Sequence, residues 1–163
     1  PLLAMGEEAF AARAKEAGID GVLVTDLPPE EGSAFARVLR ARALEPVYLL
    51  APTSPDARLR RAAALSRGFV YLVSRAGVTG AREALPDGLP DLVARVRRFA
   101  SLPIAVGFGI ATPEQVAAAA RLADGVVVGS AIVSAVEAAV RDGSDPAEVV
   151  SALVRSLAAA TAR

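Results

Sequence analysis

The chain has 163 residues, and its 18 basic side chains balance 18 acidic ones; histidine and cysteine are both absent. A net charge of zero argues against a nucleic-acid or membrane-surface partner, since both draw on a basic excess. Without Cys or His there are no disulfides, no thiolate or imidazole metal sites and no thiol or imidazole catalysis. Chemistry is left to carboxylates, tyrosine, hydroxyls, arginine, the single lysine Lys15 and backbone amides.

Apolar residues make up 53% of the chain but aromatics only 4%, which predicts an aliphatic core within one domain spanning residues 1–163. No apolar run is long enough to span a bilayer, and no signal peptide pattern opens the chain, so a cytoplasmic location is expected. Pro1 in place of an initiator methionine points to a chain that begins inside a longer one.

In chain order, a helical pattern over 7–17 closes on Gly18, a residue suited to the left-handed end of a helix. The apolar run 21–26 (GVLVTD) reads as a strand and gives way to the turn Asp26-Leu27-Pro28-Pro29 and a helix over 30–42. A second run, 46–51 (PVYLLA), precedes a helix over 56–65, with Ser54 expected as its N-cap and Pro55 as its first residue. The third run, 69–74 (FVYLVS), enters a long glycine-containing connection before a helix over 89–99. The run 104–107 (IAVG) leads through GFGI to the Thr112-Pro113 start of another helix. The run 125–129 (GVVVG) leads directly into a short helix over 131–140, and a last helix covers 146–160 after Ser144-Asp145.

The strand runs are apolar at consecutive positions, the pattern of a parallel strand covered on both faces. Alternating βα units build either an open doubly wound sheet or a (β/α)8 barrel, and in both the ligand sits at the C-terminal ends of the strands. Two successive runs end there in glycine beside a helix start: Gly107-Phe108-Gly109 and Gly129-Ser130. Such corners serve either as tight turns or as a cradle in which backbone N–H groups and the helix dipole hold a phosphate. The loop after the third run is either a lid with glycine hinges or a solvated surface loop. Tyr71 sits mid-strand among apolar neighbours, and Asp26 ends its strand on the ligand side.

Three stretches together resemble the tryptophan synthase α chain family: VYLVSRAGVTG over 70–80, PIAVGFGIATPEQV over 103–116 and DGVVVGSAIV over 124–133. Segments 21–29 and 50–53 add to the likeness, which runs to about residue 137 and is most specific in the 74–80 loop. The resemblance implies a TIM-type (β/α)8 barrel, here an incomplete one of about five parallel βα units, the last five strands and the C-terminal helices. It implies a lyase that cleaves indole-3-glycerol phosphate to indole and glyceraldehyde 3-phosphate in tryptophan biosynthesis. Position by position, Tyr71 matches an active-site tyrosine and Phe108 an aromatic lining the indole pocket. Gly80, Gly109, Gly129 and Ser130 match phosphate contacts, Arg75 and Thr79 fall in the lid loop, and Asp26 and Pro28 match a surface facing the partner chain.

The family's acid–base glutamate and aspartate lie upstream of everything that aligns, so the chain alone is expected to be inactive. No cofactor or metal is expected in it; pyridoxal phosphate belongs to the partner β chain of an α2β2 tetramer. The alternatives are another phosphate-binding barrel enzyme of the same pathway, such as indole-glycerol-phosphate synthase or an isomerase, and a non-catalytic half-barrel that binds a phosphorylated metabolite or self-associates.

Overall fold

A computed structural model describes residues 1–73, 85–86, 88–107 and 109–161. Helices α1 (Leu2–Met5) and α2 (Glu7–Glu16) precede β1 (Gly21–Leu23) and α3 (Ser33–Ala41). The second strand run is divided into β2 (Glu45–Val47) and β3 (Leu49–Leu50), followed by α4 (Asp56–Leu65), β4 (Val70–Val73) and α5 (Leu89–Arg97). The remainder is β5 (Ile104–Gly107), α6 (Pro113–Ala120), β6 (Gly125–Val127), α7 (Ser130–Asp142) and α8 (Pro146–Ala159). Every strand pair is parallel, β1 with β2 and then β3-β4-β5-β6 in sequence order. This is the arrangement of successive right-handed βα units.

Tyr48 is where the second run breaks. Its N–H leaves the ladder to donate to the buried Ser66 Oγ at 3.2 Å, while its carbonyl accepts from Tyr71 N–H at 3.2 Å. The run therefore pairs with β1 on one side of the break and with β4 on the other.

The expectation that both strand faces are covered holds only in part. Leu50, Val70, Leu72, Ile104 and Val106 point toward α4, α5, α6 and α8 and are essentially inaccessible to solvent. Burying each aliphatic side chain of this size stabilises the fold by about 1.5–3 kcal/mol. On the opposite face Leu49, Tyr71 and Ala105 lie side by side in register and stay half-exposed, although Val73 and Gly107 are buried. A second, smaller cluster of Ala11, Ala14, Phe35, Leu39 and Leu44 packs α2 and α3 against the Val22 side of β1.

Helix termini follow the sequence at several points and depart from it at others. Gly18 adopts φ +79°, with Gly18 N–H donating to Lys15 O and Ile19 N–H to Ala14 O, the paired bonds that close a helix on a left-handed residue. Ser54 is not the cap of α4: Pro55 holds that position, Asp56 begins the helix, and Ser54 Oγ instead accepts the Ala51 N–H at 3.1 Å. α3 starts at Ser33 rather than at residue 30, because Glu31 and Gly32 N–H both close a turn on Pro28 O. α7 is no short helix but runs for 13 residues. Among the described residues no helix is long and apolar enough to cross a membrane.

Candidate functional site

The strand C-termini gather on one rim. Gly107 at the end of β5 is paired with Val127 at the end of β6, so the Gly109 and Gly129 corners follow the ends of adjacent strands. Gly109 takes φ +81°, a conformation that side chains with a Cβ rarely adopt. A Cβ built on Gly129 would meet nothing within 4 Å, so this corner opens to solvent. No side chain caps α7, whose first residue is Ser130, so the first amide donors of a 13-residue helix face the rim.

The loop carrying Gly109 is held from behind by Gln115, which is 4% exposed. Its Oε1 accepts from Ala111 N–H at 2.8 Å and Thr112 N–H at 3.2 Å, while Thr112 Oγ1 accepts from Gln115 N–H at 3.3 Å. Thr112-Pro113 does open α6, as the sequence predicts, and the reciprocal Thr–Gln bonds complete a capping box. The Glu114 carboxyl beside this cap lies below the ordinary glutamate range, held there by its own backbone N–H and by the Thr112 hydroxyl.

The two tyrosines have separate roles. Tyr48 Oη donates to Gly32 O at 2.8 Å from a buried position, which ties the turn before α3 to the sheet. Tyr71 stands on the half-exposed face with its ring over Gly107, and its hydroxyl has no hydrogen-bond partner among the described residues. Burial pushes both phenols above the ordinary tyrosine range; for Tyr48 the nearby Arg40 and Arg61 partly oppose the shift.

At the other flank of the sheet, a cavity of about 460 Å³ opens at the C-terminal end of β1. Its walls are largely apolar, including Leu2, Phe10, Val24 and Leu27, with the exposed Asp26 at its edge. The turn after Asp26 is clamped from α4. Arg61 Nε donates to Pro29 O at 2.8 Å, Arg61 Nη2 donates to Glu30 O and Ser33 Oγ, and Arg58 pairs with Glu30 at 2.8 Å. The Arg58 guanidinium, together with the Glu30 backbone N–H, holds the Glu30 carboxyl below its ordinary range.

Of the residues singled out from sequence, Tyr71 lies within β4, while Gly109, Gly129 and Ser130 follow the C-terminal ends of β5 and β6. Asp26 and Pro28 follow β1, beside the apolar cavity. Arg75, Thr79, Gly80 and Phe108 lie outside the described residues. Lys15 is an exposed residue of α2 whose Nζ donates to Ala43 O at 3.3 Å, well removed in sequence from any strand end. Sequence reasoning passed over Gln115, although the Thr-x-x-Gln spacing that marks a capping box was present. Ser66, Arg61 and the crowding at Gly107 depend on residues distant in sequence and left no local signal.

Successive parallel βα units define a (β/α)-barrel type of chain, present here as part of a barrel. The family model for the tryptophan synthase alpha chain matches residues 1–162, and this chain belongs to that family. It is 49% identical over 155 residues to the tryptophan synthase alpha chain of Geobacter sulfurreducens, covering 94% of this chain and 59% of the relative. Among solved structures, the tryptophan synthase a2b2 complex of Pyrococcus furiosus matches with a TM-score of 0.86 at 39% identity, over 98% of this chain and 63% of that one. The Mycobacterium tuberculosis tryptophan synthase matches with a TM-score of 0.85 at 37% identity, over 98% of this chain and 58% of that one. The chain thus spans about three-fifths of the length of these relatives.

Proposed function

We propose that this chain is the phosphate-gripping, C-terminal part of a lyase that cleaves indole-3-glycerol phosphate to indole and glyceraldehyde 3-phosphate. The observation that supports it best is the pair of corners after adjacent strands, Gly109 with φ +81° and the open Gly129 ahead of the uncapped α7. Amide donors at a helix start bind a phosphate dianion without a lysine or arginine. On this reading Gly109, Gly129, Ser130 and Gly80 contact the phosphate, Phe108 lines the indole pocket, and Arg75 and Thr79 belong to the lid.

Cleavage requires a base to take the proton from the glycerol hydroxyl as the carbon–carbon bond to the ring breaks, and an acid to deliver a proton to the ring carbon. Tyr71, a phenol neutral at physiological pH whose ionisation burial raises further, supports that acid–base pair and does not replace it. Asp26 is the one carboxylate within three residues of the C-terminal end of a described strand, in segment 21–26. On the family resemblance, the acid and base come from the part of the barrel that this chain does not span, and the 163 residues form one partial barrel domain. Asp26 and Pro28 face a tryptophan synthase β chain in an α2β2 assembly in the cytoplasm. That partner holds pyridoxal phosphate, for which this chain has no lysine at a strand end.

Amide-resolved NMR of the chain titrated with glycerol 3-phosphate tests the cradle. Saturable shifts at Gly109, Gly129 and Ser130 are expected, with no indole released from indole-3-glycerol phosphate. Unmoved resonances at these three residues overturn the cradle, and indole release overturns the assignment of acid and base outside this chain.

A further inference from the structure

The segment between β1 and α3 carries Asp26 and Pro28, and nothing local stops α3 from beginning earlier than it does. Gly32, ahead of Ser33, takes φ −77° and ψ −1°, inside the right-handed helical region, and no side chain caps α3. Gly32 N–H already donates to Pro28 O at 3.1 Å, the spacing of a helical bond. One more turn of helix would pair Pro29 O with the Ser33 N–H and Glu30 O with the Ala34 N–H. Arg61 of α4 takes both carbonyls instead. Its Nε donates to Pro29 O at 2.8 Å, and its Nη2 donates to Glu30 O at 3.2 Å and to Ser33 Oγ at 3.0 Å. Arg58 satisfies the Glu30 carboxylate at 2.8 Å, which leaves the Arg61 fork to the backbone. From the other side Tyr48 Oη donates to Gly32 O, and the Tyr48 ring occupies the space that a Cβ on Gly32 would need.

We propose that Arg61 is a positioning residue for partner docking: it holds residues 29–33 as a turn rather than as the first turn of α3, and so fixes the surface that presents Asp26 and Pro28. This rests on the reading of that surface as facing a tryptophan synthase β chain. The planar fork of arginine reaches three acceptors on one segment at once, which the single ammonium of lysine does not reproduce. Without the fork, Pro29 O and Glu30 O lose their donors, and the N–H groups one helical turn ahead are the nearest replacement. α3 then grows backward, and Pro28, two residues before Glu30, is drawn out of its place. A turn already held in its docking shape spares the complex the entropy of ordering it, so the hold acts on affinity without Arg61 itself touching the partner.

The test compares the wild-type chain with R61K, which keeps the charge, and R61M, which removes it; the side chain is exposed, so neither change opens the core. Backbone carbon chemical shifts read the segment, and calorimetric titration with a tryptophan synthase β chain reads docking. Both variants are expected to move residues 29–33 toward helical shifts and to weaken β-chain binding by about tenfold or more. The amide resonances of Gly109 and Gly129 should stay at their wild-type positions. Wild-type affinity in R61K would show that charge and not the directed bonds matters, and overturns the proposal. Unchanged shifts at 29–33 in both variants overturn the hold on the turn. Helical shifts with undiminished affinity overturn the docking role alone. A wild-type chain that does not bind the β chain overturns the partner-facing reading, and the docking role with it, whatever the shifts show.

Discussion

The Tyr71 ring lies across Gly107 on the neighbouring strand: a Cβ built on Gly107 would come within 2.8 Å of Tyr71 Cζ and 3.0 Å of Val127 Cβ. The glycine is there because two side chains, one from each neighbouring strand, already fill the space. G107A is expected to destabilise the chain by about 1–3 kcal/mol through overpacking. That is a fall in Tm of roughly 2–4 °C per kcal/mol at this chain length. Because the obstacle is mainly the Tyr71 ring, Y71A in the G107A background should recover part of the loss. The measurement is a double-mutant cycle by thermal or urea unfolding, with a non-additive term of about 0.5–3 kcal/mol expected. Additive losses would show that the crowding arises elsewhere.

The two phenols give the chain an alkaline limit. Burial raises both Tyr48 and Tyr71 above the ordinary value of about 10. Below that pH both are neutral in the folded and unfolded chains, so stability does not depend on them. Above it the unfolded chain ionises first, and stability falls until the folded phenols titrate as well. Since the chain has only two tyrosines, phenolate absorbance during a pH titration should show both midpoints displaced upward. Y71F should remove one step and flatten the alkaline loss of stability. A tyrosine titrating at its ordinary value in the folded chain would contradict the burial of that ring.

Much of the fold was legible because it rests on local signals. The consecutive apolar residues of 104–107 and 125–129, Gly18 at the end of α2 and Thr112-Pro113 ahead of α6 are all contained in short windows, and the structure places them as the sequence implies. Two of the misreadings share one cause, competition from a distant partner. Tyr48 looks like the middle of a strand, but Ser66, 18 residues on, draws its N–H out of the ladder. Residues 30–32 have helical composition, but Arg61 from α4 and the Tyr48 hydroxyl hold them in a turn. For the site, glycine beside a helix start was visible, whereas the pairing of Gly107 with Val127 that sets these two corners on adjacent strands depended on strand register, which no single segment encodes.

Gln115 links the helix cap to the site. Replacing it by alanine removes the acceptor for Ala111 and Thr112 N–H in a buried position. The expected cost is about 1–3 kcal/mol for donors left without a partner. The loop that carries Gly109 loses its anchor at the same time, so affinity for inorganic phosphate should fall along with stability. Q115E keeps an oxygen at the same reach and should restore most of both. Unfolding curves and phosphate titrations on the two variants separate the effects. Lost stability with unchanged phosphate affinity would confine Gln115 to the helix start.

Ala43 offers the converse test, a site where the sequence is less than optimal. It follows α3 with φ +52°, the one non-glycine residue at positive φ among the described residues. Its N–H donates to Arg40 O and the next N–H, from Leu44, to Leu39 O, the same pair of bonds that Gly18 supports after α2. Leu44 beyond it is 1% exposed and anchors the smaller core, so the backbone has no freedom to relax. A Cβ in this conformation costs roughly 1–2 kcal/mol, and the extra freedom glycine gives the unfolded chain offsets part of that relief. A43G should therefore stabilise the protein by about 0.5–1 kcal/mol, while the β-branched A43V should destabilise it. Urea unfolding of the two variants checks the sign, and equal stability in both would mean that α3 ends differently in solution.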